Sequence, residues 1–169
     1  MRGRPGPTWT IFVNVAPEKA YDYVADLSRH SEWASQADQM TIKPDEPGGP
    51  AVGKTYSAEG TLLGKRNASK VTITALDPPR SVEFEYVDPN NTSGGHVFTF
   101  TQQNGGTLVS RQIFGIKQPF FGPLLFRIFK SKIDVNYNGA LQNLKAKLEA
   151  GGGDAAPVSQ PEPEPTAST

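Results

Sequence analysis

His96 and Arg111 are the residues of this 169-residue chain best suited to chemistry. An imidazole changes charge near neutral pH and can act as a general acid or base. A guanidinium can hold a carboxylate or an enolate oxygen through paired N–H donors. Strand alternation puts both on the face that carries Phe98, Phe100, Val109 and Ile113. On a buried face they need partners or a polar pocket. The favoured alternative is blander: His96 at a strand end near solvent, and Arg111 paired with an acidic side chain at a cavity rim. His96 is therefore the one catalytic candidate. The other histidine, His30, lies in a short polar segment and reads as a surface residue.

Other chemistries find little support. There is no cysteine, so thiol nucleophiles, disulfides and zinc fingers are excluded. Two histidines leave little for a protein metal site, and neither H-x-x-x-H nor H-E-x-x-H occurs. No Ser-His-Asp arrangement stands out, and Glu83 and Glu85 have outward parity beside Thr72 and Thr74. No metal and no cofactor are expected. Gly48 to Thr55 reads GGPAVGKT, a literal phosphate-loop string. A phosphate loop follows a buried strand and opens a helix. Here the upstream segment is polar and proline-broken, and the downstream segment is strand-like, so the string reads as a loop entering a strand.

Aromatic and apolar residues are better represented. Trp33, Tyr56, Tyr86 and Tyr137 are amphipathic rings that either line a cavity or pack as plain core. The segment 117–132, KQPFFGPLLFRIFKSK, carries Phe121, Leu125 and Phe129 among four cations, and Ile133 follows at helical spacing. One helical face cannot hide all of these against a sheet. Two readings stand side by side: a cavity mouth or transient membrane contact through 117–132, and tight packing under neighbouring loops.

These side chains must be held by elements that the spacing predicts. Thr8 to Val15 reads as a strand. Pro17 and Glu18 open a helix with Ala20, Tyr21 and Val24 on one face, and Ser28 is placed to cap a second short helix through Trp33. From Tyr56 the period becomes two. A four-residue turn at Asp77 to Arg80 pairs Ile73 with Phe84 and Thr72 with Glu85. Asn104-Gly105 is a two-residue hairpin signal that pairs Phe100 with Val109, Phe98 with Arg111 and His96 with Ile113. Pro119 to Ala150 returns to helical steps through Phe126, Phe129, Ile133, Tyr137, Leu141, Leu144 and Leu148. The fold class is α+β: a curved antiparallel sheet of about six or seven strands wrapped around a long C-terminal helix, with two short helices after the first strand. A curved sheet must have its apolar face covered, and the long helix is the element available. Laid across the curve, it would touch near its ends and leave a gap in the middle.

Lys+Arg and Asp+Glu are 17 each, which excludes a globally basic nucleic-acid binder. No apolar run is long enough to span a membrane, and Met1 to Thr10 lacks the apolar core of a signal peptide. A cytoplasmic protein, with a peripheral membrane contact as an option, is expected. Residues 1–7 read as a loose N-terminus, 8–150 as the domain, and 151–169 as a disordered, proline-rich acidic tail. Nothing in the sequence specifies an oligomeric state.

Five segments in order, APEKAYDYVADLSRHSEW (16–33), VGKTY (52–56), PPRSVEFEY (78–86), GGTLVSR (105–111) and LQNLKAKLEA (141–150), resemble the START/Bet v 1-like (SRPBCC) helix-grip superfamily. Within it they are most similar to the polyketide cyclase/dehydrase and lipid transport group, over residues 8–150. The resemblance implies a hydrophobic-ligand cavity between sheet and helix, without implying one reaction. The expected function is binding or transport of a hydrophobic or amphipathic small molecule of lipid, polyketide or isoprenoid type. The expected site combines Trp33, Tyr56, Tyr86, His96, Phe98 and Arg111 with Phe121, Leu125, Phe129, Ile133 and Tyr137 of the last helix. The alternatives are a polyketide cyclase/aromatase or dehydratase-type enzyme, and a protein-interaction adaptor with a vestigial cavity.

Overall fold

The computed structural model of the protein describes residues 3–35, 40–62 and 65–150; the segment 151–169 and Met1-Arg2 lie outside them. The chain runs β1 (Arg4–Val13), α1 (Pro17–Ala25), a 3-10 turn (Leu27–Arg29), α2 (His30–Trp33), β2 (Thr41–Pro44), β3 (Thr55–Leu62), β4 (Lys65–Asp77), β5 (Ser81–Val87), β6 (Ser93–Gln103), β7 (Gly106–Lys117) and α3 (Gly122–Ala150). The strands form one seven-stranded antiparallel sheet in the order β1-β7-β6-β5-β4-β3-β2. This is the helix-grip architecture expected from the residue pattern.

The turns follow from local chemistry. Asn104 and Gly105 both hold positive φ, at 49° and 78°, and join Gln103 directly to Gly106. A two-residue turn with both centres left-handed matches the twist of its flanking strands. The expected pairs Phe100–Val109, Phe98–Arg111 and His96–Ile113 all form. Ile73–Phe84 and Thr72–Glu85 also form, but a bulge between Ile73 and Ala75 shifts the pairs nearest the turn to Leu76–Val82 and Asp77–Ser81. The alternation of side chains gives no sign of that extra residue.

Several boundaries differ from expectation. β1 begins at Arg4, inside the segment read as loose: Arg4 pairs with Gly115 and Pro5 with Phe114, around an irregularity before Thr8. RPGP has no alternation of its own. It is ordered by the long far arm of β7, and its prolines are tolerated because β1 is an edge strand. β2 forms at the opposite edge from a segment without alternation, paired with β3. Ser28 does not cap α2, which has no side-chain cap; Asp26 caps the 3-10 turn before it, its carboxylate accepting from the Ser28 N–H at 3.2 Å and from the Ser28 hydroxyl at 2.5 Å. Ser28 itself sits within the 3-10 turn.

α3 has 29 residues, about 43 Å at 1.5 Å per residue. Its second half grips the sheet. Ala140, Leu141, Leu144 and Leu148 are buried with Val13, Val82, Phe98 and Val109. Glu149 accepts from the Asn14 N–H at 2.8 Å, and Lys145 donates to the Phe12 carbonyl at 2.8 Å. The first half is less embedded: Phe126, Phe129, Ile133 and Tyr137 are half-buried. Among the described residues, then, burial falls off towards the helix N-terminus instead of dipping in the middle. Apolar side chains seated on the sheet and two polar ties to the end of β1 hold the C-terminal half, whereas the described residues of the other half have polar ties, Trp9 to Asp134 and Ser35 to Asn136, but fewer buried apolar side chains.

Candidate functional site

The antiparallel ladder builds the site row by row, because directly paired residues share a face. One row across the concave face reads Leu76, Val82, Phe98, Arg111 and Trp9. The next reads Ile73, Phe84, His96 and Ile113, and a third holds Tyr56, Val71, Tyr86 and Gly94. Arg111 thus has Phe98 on one side and Trp9 on the other, with His96 diagonal to it.

Two helices close over this point. α2 brings Trp33, whose ring meets Phe98 edge-on at 6.0 Å. α3 brings Tyr137, which stacks on Trp9 with centroids 4.3 Å apart. The Trp9 indole N–H also donates to Asp134 at 3.1 Å, one turn earlier on α3. The Arg111 guanidinium lies 4.4 Å from the Tyr137 ring centre, 5.3 Å from Phe98 and 5.6 Å from Trp33. Aromatic faces attract a cation at such distances. Its Nε donates to His96 Nδ1 at 3.3 Å. Accepting at Nδ1 leaves the neutral ring's proton on Nε2.

Burial is deep: Arg111 is 3% exposed, His30 5% and His96 8%. The strand-end placement of His96 is therefore corrected. β6 begins three residues before it, at Ser93, and β7 continues beyond Ile113, so sheet surrounds His96. The surface placement of His30 is corrected as well. It lies three residues before Trp33, which puts both on one helical face, and their rings meet at 4.4 Å. Among the described residues, His30 Nδ1 has no hydrogen-bond partner.

The cluster's electrostatics follow. Burial, then the Arg111 charge, push His30 down from 6.5 to about 3. Burial, then Arg111 and His30, push His96 well below the ordinary histidine value. Removal from water disfavours the charged imidazole, and a guanidinium that stays protonated adds repulsion. Burial foremost raises the Tyr86 phenol to about 12. At neutral pH the site therefore holds one fixed cation, two neutral imidazoles and the protonated phenol of Tyr86. Such imidazoles are feeble bases, poorly matched to proton abstraction near pH 7. They remain good hydrogen-bonding groups.

Of the residues expected from sequence, the structure brings together Trp33, His96, Phe98, Arg111 and Tyr137. Tyr86 joins beside His96, with ring centroids 6.2 Å apart. Gly94 opposite Tyr86 makes room for it: a Cβ there would stand 3.0 Å from the phenol oxygen and 2.6 Å from the Phe114 carbonyl. Tyr56 is buried in the row beyond, and Lys54 stands 5.6 Å over its ring. Phe129 and Ile133 are half-buried, and Phe121 is exposed in the turn just before the helix. The side chain of Leu125 lies outside the described residues. Sequence reasoning missed His30, Trp9 and Asp134. Trp9 alternates with Ile11 and Val13, and Asp134 precedes Tyr137 by one turn, so periodicity held both signals.

The phosphate-loop string opens a strand, β3, and not a helix. Lys54 donates back to the Gly48 carbonyl and, at 3.1 Å, to the Gly49 carbonyl. Among the described residues no group of three or more His, Cys, Asp or Glu could hold a metal ion.

A family model described as polyketide cyclase/dehydrase and lipid transport matches residues 8–149. No curated protein matches the chain. Among solved structures, protein Ms6760 from Mycobacterium smegmatis is similar with a TM-score of 0.62 and 19% identity, covering 83% of this chain and 88% of that one. Ara h 8.0201 is similar with a TM-score of 0.63 and 13% identity, covering 85% and 97%. The di-domain ARO/CYC StfQ from the steffimycin biosynthetic pathway is similar with a TM-score of 0.67 and 17% identity. That match covers 88% of this chain and 51% of StfQ. At these identities the likeness is one of fold.

Proposed function

Because the chain belongs to the polyketide cyclase/dehydrase and lipid transport family, we propose that it binds an amphipathic small molecule between the sheet and α3. The molecule is of lipid, polyketide or isoprenoid type and presents an anionic or carbonyl oxygen to Arg111. The observation that carries this reading is the buried Arg111 guanidinium caged by Trp33, Phe98 and Tyr137. Apolar interiors hold a buried charge at a cost of several kcal/mol (about), so a core built for stability alone would place an apolar side chain there. His30 Nδ1, buried without a partner among the described residues, is a second polar group for the ligand's head. The half-buried face of α3 through Phe129, Ile133 and Tyr137 is the apolar wall for its tail.

The test is native mass spectrometry of the gently purified protein, with an organic extract of the same sample. A discrete extra mass, identified as an acidic or carbonyl-bearing amphiphile, is the expected result. An extract free of such molecules, together with no binding from a panel of fatty acids and polyketide-like acids, refutes it.

A cyclase or dehydratase-type enzyme is the second reading. It is favoured by Arg111 standing beside the tyrosine ring of Tyr137, where a guanidinium could stabilise an enolate oxygen. Binding is preferred because His96 is so weak a base. Turnover of a folded polyketide substrate that is lost in His96→Ala would reverse that preference.

A further inference from the structure

α3 has a second apolar face, turned away from the sheet. At 100° per residue, Ile133, Tyr137, Leu141, Leu144 and Leu148 share the inner face, and Leu124, Ile128 and Val135 lie on the opposite one, with Phe121 in the turn that leads into the helix. Phe121, Leu124, Ile128 and Val135 are 57%, 60%, 63% and 71% exposed, and Phe120 just before the helix is fully exposed. Neighbouring large apolar residues left in water at one end of a domain mark an interaction surface.

The charges around the stripe indicate what it meets. Arg127 flanks it on one side and Lys132 on the other, and both are exposed. Lys117 precedes the helix. Lys130 is turned towards Asp134, with which it forms an ion pair at 2.5 Å. Between Pro89 and Ile133 the sequence contains no Asp or Glu. The face is therefore apolar along its middle and cationic along both margins. A second copy of the chain would bring like charges together across such a contact. Phosphate and carboxylate headgroups above an acyl layer complement it on both counts. Among the described residues no helix is long and apolar enough to cross a membrane, so the contact is lateral.

We propose that the outward face of the first half of α3 and the turn leading into it, through Phe121, Leu124 and Ile128 with Arg127 and Lys132, docks on an anionic lipid bilayer. The apolar side chains enter the headgroup boundary and the two cations meet the headgroups. This contact does not rest on the ligand reading, since it uses the opposite face of the helix.

The experiment is flotation of the full chain with phosphatidylcholine vesicles, with and without phosphatidylserine. Binding is expected to anionic vesicles, to fall as salt rises, and to be weak on phosphatidylcholine alone. Phe121→Asp and Ile128→Asp, each at an exposed position, should reduce it roughly tenfold. Arg127→Gln with Lys132→Gln should reduce it by about fivefold per cation removed. Circular dichroism of each variant establishes that the fold is intact. The proposal is overturned if the parent fails to float with anionic vesicles, or if Ile128→Asp floats as well as the parent. It is also overturned if the parent is a dimer in solution and Ile128→Asp makes it a monomer, which would assign the face to a second copy.

Discussion

Arg111 donates its Nε–H to Nδ1 of His96 at 3.3 Å, diagonally across the β6–β7 ladder, with both side chains buried. Arginine stays protonated, so the hydrogen bond fixes the histidine as the neutral partner. His30 is pushed down by its burial first and by the charge of the same guanidinium second. Burial foremost, and this one cation after it, hold both histidines of the chain neutral.

Stability should consequently depend on pH in a range where few other groups titrate. A histidine whose folded value is depressed is neutral in the native state. The unfolded chain takes up a proton below about pH 6.5 while the native state does not, so stability is full above that value and is lost as pH falls towards about 3. From about pH 7.5 to about pH 5, His30 should account for a loss of about 2 kcal/mol. His96 adds to it in the same direction. Denaturant melts across that interval should show the decline, and His30→Gln should make it shallower. A parent whose stability is flat over the interval contradicts the neutral assignment.

Arg111→Met tests whether the buried cation serves the fold or the ligand. Removing the buried charge recovers its desolvation cost, and this offsets the loss of about 1–3 kcal/mol when His96 Nδ1 is left without its donor. Thermal melts should therefore show a nearly unchanged midpoint, and binding of an amphipathic acid should weaken by at least about tenfold. A variant that unfolds at a much lower temperature would make Arg111 a structural residue.

Trp9 and Tyr137 tie the first half of α3 to the sheet. Trp9→Phe keeps a ring against Tyr137 but removes the donor to Asp134, and should cost about 1 kcal/mol. Tyr137→Ala removes the stack and a wall of the cage, and should cost about 3 kcal/mol or more. Hydrogen exchange of the α3 amides should quicken in its first half and stay slow over Leu141 to Leu148 if the second half is held independently.

The hairpin offers a control away from the site. Gly105 holds φ at 78°, with nothing near its absent Cβ. Gly105→Ala should cost about 1 kcal/mol through backbone strain alone, and should leave ligand and vesicle binding untouched.

Much of this fold was legible because it rests on local periodicity. Residues 104 and 105 announce their turn, and the register that follows carries His96 and Arg111 to one face. Alternation reports which face a residue takes, but not how far the sheet extends around it. The depth of His96 was lost for that reason, since β6 and β7 both run on past the alternating stretch. His30 was misread because a four-residue helix is too short to show a face, although Trp33 one turn later defined one. β2 and the start of β1 have no pattern of their own and are ordered by their neighbours. The bulge at Thr74 corrects a one-residue slip that no composition reveals.

In the proposed function the Arg111 cluster receives the polar end of an amphiphile. Nitrogen-15 NMR reads it most directly, by following the Arg111 Nε and the imidazole nitrogens of His30 and His96 as decanoate is added. With two histidines in the chain and Arg111→Met to assign the guanidinium, each signal is identifiable. Saturable shifts at all three side chains, absent for decanol and lost in the variant, are the predicted result. No shift at the three side chains, or equal shifts with decanol, would rule out a ligand head at Arg111.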